Sequence, residues 1–217
     1  MRGLYLVTPN WDDTARLMDV TAAALAAGAA LVQYRHKDAS PELRHEQATA
    51  LLALCRRHHT PFIVNDHLDL CLRLGADGLH VGGTDMSVAA ARAALGPEKI
   101  VGASCYGDLQ LAHAAWQAGA SYVAFGGFYP SPVKKYSFVT APSVIADARA
   151  QIDLPVVVIG GMTPDNAVPL VAQGAHMVAA ITSIYGAADT AAATRQFNAL
   201  FSQTAQTAQT EKGLPLS

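Results

Sequence analysis

Charge is scarce in this chain. Only 15% of its 217 residues are Asp, Glu, Lys or Arg, and 15 basic against 17 acidic side chains leave a formal net charge of -2. No basic tract marks a nucleic-acid footprint, which sets polyanion binding aside. Cysteine is sparse too: Cys55, Cys71 and Cys105 show no close metal-ligand spacing. An odd number of thiols favours a reducing compartment, so the expectation is a cytoplasmic protein. The opening MRGLYLVTPNWDD turns acidic too early for a secretory leader. No apolar run reaches the roughly 20 residues that span a bilayer. Hydrophobic residues nevertheless make up 51% of the chain, so a soluble protein with much of its length buried is expected.

What is present is alternation. Short β-rich runs lie at 4–8, 30–35, 61–65, 78–82, 99–104, 121–126, 155–160 and 176–181. Between and after them, Ala- and Leu-rich stretches read as helices at 13–27, 41–58, 67–74, 87–95, 108–118, 140–150, 164–173 and 188–202. Asp85 or Ser87 can cap the fourth helix, Asp108 the fifth, and Thr163 the seventh with Pro164 behind it. A phrase recurs ahead of strands: AGAALV, LGADGLHV, AGASYVAF and QGAHMVAA. In each, a helix stops at glycine and one or two residues carry the chain into the next strand. Eight such units predict an α/β fold, a closed (β/α)8 TIM barrel, with a doubly wound open sheet as the alternative. Residues 1–202 read as a single catalytic domain, and 203–217, QTAQTAQTEKGLPLS, as a polar, flexible tail.

Barrel active sites form at the C-terminal ends of strands, and the informative polar residues fall there. VQYRHK ends the second strand and puts Gln33, Arg35 and Lys37 at alternate positions, hence on one face. Asn65 and Asp66 end the third strand, His80 lies in the fourth with Asp85 after it, and Ser104 ends the fifth. GGFYPSPVKK carries Ser131, Lys134 and Lys135 after the sixth, and IGGMTPDN places Gly160 and Gly161 after the seventh. Arg35, Lys37 and Lys134 around a mouth can hold phosphate; the plain alternative is pairing with Asp66 or Asp85. Two carboxylates without His or Cys companions suit Mg²⁺, against helix capping for Asp85 and a turn for Asp66. The glycine pair lets backbone N–H groups approach an anion, so a monophosphate is expected near the last two loops. His80 reads as a hydrogen-bonded wall residue rather than a base, and Cys71 and Cys105 as buried small hydrophobes.

On these segments, spread over residues 3–200, the chain resembles the thiamine phosphate synthase family. VQYRHK is similar to its Gln-x-Arg-x-Lys segment, VND to its Asn-Asp segment, and GLHVGGTD to the segment ending in a second metal-binding acid. The resemblance implies a transferase of thiamine biosynthesis. It would couple 4-amino-2-methyl-5-pyrimidinylmethyl diphosphate to 4-methyl-5-(2-phosphoethyl)-thiazole, giving thiamine phosphate and diphosphate. It assigns Gln33, Arg35, Lys37 and Asn65 to the pyrimidine diphosphate and Asp66 and Asp85 to Mg²⁺. Ser104 falls over the reacting region, Ser131 and Lys134 hold both substrates, and Gly161, Ile181 and Thr182 take the thiazole phosphate. Arg35, Lys37, Ser104 and Lys134 would be the catalytic set. Two positions depart from the pattern: Gly83 where the family usually has Gln, and Val133 where a hydroxyl residue commonly precedes the lysine.

The related thiazole tautomerase group shares the expected fold and performs a proton shift, but has no use for a pyrimidine diphosphate site. A phosphate-ligand sensor without turnover, or a structural barrel, are the non-enzymatic readings. A homo-oligomer is compatible with the apolar helix faces.

Overall fold

The computed structural model describes residues 1–83, 86–131 and 137–212, with side chains described as far as residue 202. Eight parallel strands close into a ring in chain order. They are β1 (Gly3–Val7), β2 (Leu31–Tyr34), β3 (Phe62–Asn65), β4 (Gly78–Val81), β5 (Ile100–Tyr106), β6 (Tyr122–Gly126), β7 (Val156–Ile159) and β8 (Met177–Ala180). The seam is made by β8 against β1, with Leu4 opposite Val178 and Leu6 opposite Ala180. Around the ring lie α1 (Thr14–Ala26), α2 (Pro41–Arg57), α3 (Leu68–Leu74), α4 (Val88–Leu95), α5 (Leu109–Gln117), α6 (Ser143–Gln151) and α7 (Pro164–Ala172). A one-turn helix α8 (Thr182–Tyr185) and a long α9 (Thr190–Lys212) complete the chain. The expected (β/α)8 barrel is the fold.

Alternation divides the strand side chains into two cores. Tyr5, Leu31, Ile63, Tyr122, Val157 and Met177 fill the lumen. Leu4, Leu6, Val32, Val64, Val123 and Val158 point outward under the helices. Ser87 caps α4 by accepting from Ala90 N–H at 3.2 Å. Asp108 caps α5, and Thr163 and Asn166 form a reciprocal capping box on α7.

Most boundaries fall within two residues of those expected from the sequence, and the larger differences are in the helices after β6 and β8. Helix α6 begins at Ser143 rather than 140, because Thr140 is drawn back to the end of β6, donating its hydroxyl to Gly126 O at 2.5 Å. Helix α8 was not expected; four residues without a side-chain cap leave no sequence signal. The last helix starts two residues later, where Asp189 accepts from Ala192 N–H at 2.8 Å, and continues to Lys212. Its Ala and Gln are good helix formers, and no Gly or Pro interrupts before Gly213.

The recurring glycine phrase has a physical explanation. Gly28, Gly75, Gly119 and Gly174 all have positive φ, from 62° to 103°, a conformation that glycine reaches without steric penalty. Two residues on, the backbone N–H of Ala30, Asp77, Ser121 and His176 donates to Leu4, Phe62, Val101 and Val156 of the preceding strand. In three units the same residue also accepts that strand's N–H through its side chain. Asp77 takes Phe62 N–H at 2.8 Å, Ser121 takes Val101 N–H at 3.0 Å, and the His176 ring takes Val156 N–H at 3.0 Å. Ala30 has no acceptor to offer. Asn198 of α9 supplies it instead, its Oδ1 lying 3.3 Å from Leu4 N. The last helix therefore finishes the first strand.

His176 makes this end of the barrel sensitive to acid. Burial first, and then the neighbouring Arg149 guanidinium, push its imidazole down from 6.5 to about 4. Between those values the unfolded chain binds a proton that the folded chain does not. The contribution is intact above 6.5 and is lost as pH falls toward 4. Thermal unfolding across that window should show a shallower acid-side fall for His176→Asn, whose amide oxygen can still accept from Val156. Parallel curves for variant and parent would remove His176 from the acid response.

Candidate active site

At the C-terminal ends of the strands the ring opens into a cavity of about 570 Å³. Gln33 is buried and aimed into the lumen, its amide donating to the Tyr5 hydroxyl at 2.6 Å. Arg35 continues the same face beyond the strand. Thr8, fully buried, holds the Arg35 backbone from both sides, accepting its N–H at 2.8 Å and donating to its carbonyl at 3.1 Å. Lys37 stands one step further out, its N–H donating to Asn10 Oδ1 at 3.4 Å. All three side chains line the cavity, as their alternation predicts.

Asn65 and Asp66 line it from β3. Asp66 adopts a left-handed φ of 61°, rare for a residue with a side chain and of the kind that gathers at functional sites. Its N–H donates to His80 O at 2.9 Å, and its carboxylate accepts from Asn65 Nδ2 at 2.5 Å. Tyr106, at φ 55°, is a second left-handed residue on the cavity wall. It follows a bulge after Ser104 in β5. Its hydroxyl accepts from Gly83 N–H at 3.0 Å, and a Cβ at residue 83 would lie 2.9 Å from that oxygen. Gly83, the departure noted in the sequence, is thus matched by the tyrosine that packs on it.

Ser104 lines the cavity beside His80. The His80 ring bonds Ser104 Oγ at 2.9 Å through Nε2 and the Tyr122 hydroxyl at 2.8 Å through Nδ1. His80 is the hydrogen-bonded wall residue expected. A phenol stands where an acyl-transfer triad has a carboxylate. All three cysteines are buried, and burial pushes Cys71 up to about 11 and Cys105 up to about 12. They are inert small hydrophobes, as read.

The far wall comes from the last three loops. Ser131 and Pro130 reach over from β6, and Gly161, Ile181 and Thr182 line the opposite side. Gly161 has φ 63°, and a Cβ there would sit 2.3 Å from Pro130 O, so two loops touch through a missing side chain. Tyr129 clamps the same pair of loops by donating to Asn166 O at 2.7 Å. Lys134, Asp85, Val133 and Lys135 lie outside the described residues. Among the described lining residues the charged side chains are Arg35, Lys37 and the single carboxylate of Asp66, a net positive set.

Tyr5, Tyr106, Thr163 and Ser183 also stand on the cavity wall, outside the set of site residues expected from the sequence. Parity could have found Tyr5, two positions below Val7 on the inward face of β1. Tyr106 could not be found that way, since a bulge shifts its register.

Comparison with known proteins agrees with the geometry. The family described as thiamine monophosphate synthase matches residues 4–184. The chain belongs to that family. A thiamine-phosphate synthase of Janthinobacterium sp. (strain Marseille) is 63% identical over 203 residues, covering 94% of this chain and 98% of the relative. Another from Methylobacillus flagellatus is 49% identical over 201 residues, covering 93% and 96%. Among solved structures, a thiamine phosphate pyrophosphorylase from Pyrococcus furiosus superposes with a TM-score of 0.82 at 29% identity, covering 93% and 96%. The matched range runs from the second residue of β1 through β8 and into α8. No described helix is long and apolar enough to cross a membrane.

Proposed function

We propose that this barrel joins 4-amino-2-methyl-5-pyrimidinylmethyl diphosphate to 4-methyl-5-(2-phosphoethyl)-thiazole, releasing thiamine phosphate and diphosphate. One observation carries the reading: in a member of the thiamine monophosphate synthase family, ten nominated residues from six different strand ends line a single cavity. Residues 1–202 are taken as the catalytic domain.

Each role follows from side-chain chemistry. Arg35 offers a planar fork of donors and Lys37 a compact charge, together holding a diphosphate. Both stabilise the negative charge that grows on the leaving group as the carbon–oxygen bond breaks. The bonding pair leaves with diphosphate, and the aminopyrimidine ring supports the positive charge left on its methylene carbon. The thiazole nitrogen then supplies its lone pair to that carbon. No protein nucleophile is required, in keeping with the inert cysteines. Gln33 and Asn65 present amides to the pyrimidine edge, and Ser104 and Ser131 present hydroxyls to the diphosphate. Gly161, Ile181 and Thr182 hold the thiazole phosphate. There the N–H groups of Ile184 and Tyr185 donate to Ile181 O at 3.1 and 2.9 Å, which leaves those of Thr182 and Ser183 at the start of α8 for the phosphate. Lys134, outside the described residues, is assigned to the leaving group.

Mg²⁺ is compatible with the donors present. Among the described residues, no three His, Cys, Asp or Glu side chains are grouped to hold a metal by themselves. A hard cation that takes one or two carboxylates and fills its shell with phosphate oxygens and water needs no such group. Asp66 and Asp85 would hold it. When bound, the ion neutralises charge on the diphosphate oxygens.

Incubating both purified phosphates with the protein should yield thiamine phosphate and stoichiometric diphosphate, abolished by a chelator and restored by Mg²⁺. Isomerisation of a thiazole phosphate without coupling would assign the barrel to the tautomerase reaction. Binding without any product would leave a sensor.

A further inference from the structure

Beneath the cavity, five side chains from five strands make one continuous hydrogen-bonded chain. Gln33 Nε2 lies 2.6 Å from the Tyr5 hydroxyl, which lies 2.7 Å from the Tyr122 hydroxyl. Tyr122 lies 2.8 Å from His80 Nδ1, and His80 Nε2 lies 2.9 Å from Ser104 Oγ. The two ends, Gln33 and Ser104, line the cavity; Tyr122 lies fully buried in between.

We propose that this chain runs in one direction only, holding His80 as its Nε2–H tautomer and so making Ser104 a hydrogen-bond donor to the departing diphosphate. The last clause rests on the coupling reaction proposed above.

The direction follows from proton counting. An amide nitrogen donates and cannot accept, so Tyr5 oxygen is the acceptor of Gln33. Burial pushes both phenols far above their ordinary range, so neither ionises and each has one proton to give. Tyr5 gives its proton to Tyr122, and Tyr122 gives its own to His80 Nδ1. A neutral imidazole that accepts at Nδ1 carries its proton on Nε2. That proton goes to Ser104 Oγ, and the Ser104 hydroxyl proton is left for an acceptor in the cavity. At the other end, Gln33 keeps its carbonyl oxygen as acceptor for an amino group on the pyrimidine. A reversed chain would invert both ends at once.

The surrounding geometry holds the chain still. The Tyr5 and Tyr122 rings meet edge to face with centroids 5.8 Å apart, and the His80 ring stacks on Tyr122 at 5.7 Å. Gly102 on β5 makes the space. A Cβ there would fall 2.0 Å from Tyr122 Cζ, so a mid-strand glycine is needed to admit the central phenol. Donors fixed in this way need no reorganisation when charge develops.

Protein labelled with ¹⁵N-histidine, without ligand, decides the tautomer by long-range ¹H–¹⁵N correlation, with His80 assigned by its loss in His80→Gln. The Nε2–H form is expected; the Nδ1–H form overturns the proposal. This result does not depend on coupling activity, and it does not require Tyr122→Phe or Ser104→Ala to fold. In Tyr122→Phe the fixed tautomer should be lost and kcat should fall about tenfold with KM for both substrates within about twofold. Made in a Ser104→Ala background, the same change should have little further effect on kcat. Additive losses, or an unchanged kcat in Tyr122→Phe, would show that Ser104 is not reached through the chain. Absence of coupling product from the parent protein would instead refute the proposed function while leaving the tautomer assignment intact.

Discussion

Asp66→Asn should lower kcat/KM for coupling by about two to three orders of magnitude while leaving the folded state about as stable as the parent. The substitution separates charge from shape. Asp66 sits at φ 61°, and Asn tolerates that left-handed backbone better than almost any other residue with a Cβ. The amide oxygen can still accept from Asn65, which donates to the carboxylate at 2.5 Å. Only the negative charge is lost, and with it the ligand assigned to Mg²⁺. Alanine would be a poorer test, since it adds backbone strain to the loss of charge. Steady-state rates over a Mg²⁺ titration give the answer. A variant that turns over like its parent at limiting metal would exclude Asp66 as a ligand.

Gly161→Ala should raise KM for the thiazole phosphate by at least about tenfold and lower the unfolding temperature by several degrees. Its effect can be separated from ordinary backbone strain because the barrel contains its own control. Gly75 has φ 62°, within a degree of Gly161, yet a Cβ at Gly75 meets nothing within 4 Å. Gly75→Ala should therefore cost only the left-handed penalty, about 1–2 kcal/mol. At Gly161 the added carbon falls 2.3 Å from the Pro130 carbonyl oxygen, and a backbone atom cannot rotate out of the way. The two loops must part, and the Tyr129 bond to Asn166 that spans them must lengthen or break. Calorimetry on both variants, with kinetics on the first, measures the difference. Equal destabilisation and unchanged kinetics in the pair would show that the loop contact has no role in binding.

The barrel and its polar mouth were readable because they rest on short-range rules. Period-two alternation set Gln33, Arg35 and Lys37 on one face, and the repeated glycine phrase marked where helices stop. The lumen was harder to read. Tyr122 is admitted only because Gly102 lies opposite it on the neighbouring strand, and that pairing needs the register between strands. Tyr106 was hidden by the bulge that brings it onto the cavity wall. Asn198 could not have been matched to Leu4 from sequence, since 194 residues separate them. The same holds for the chain from Gln33 to Ser104: its two ends were expected at the site, but the Tyr5, Tyr122 and His80 links between them need the closed ring.

The bond from Asn198 to Leu4 has a consequence for biogenesis. During synthesis β1 leaves the ribosome first, while its partner β8 and the helix that completes its hydrogen bonding arrive last. Until then the nascent chain carries an unpaired parallel edge at each end of a growing sheet, the kind of surface that recruits other chains. Shortening the chain ahead of β8 should therefore yield material that aggregates as it is made, with β1 left without its partner strand.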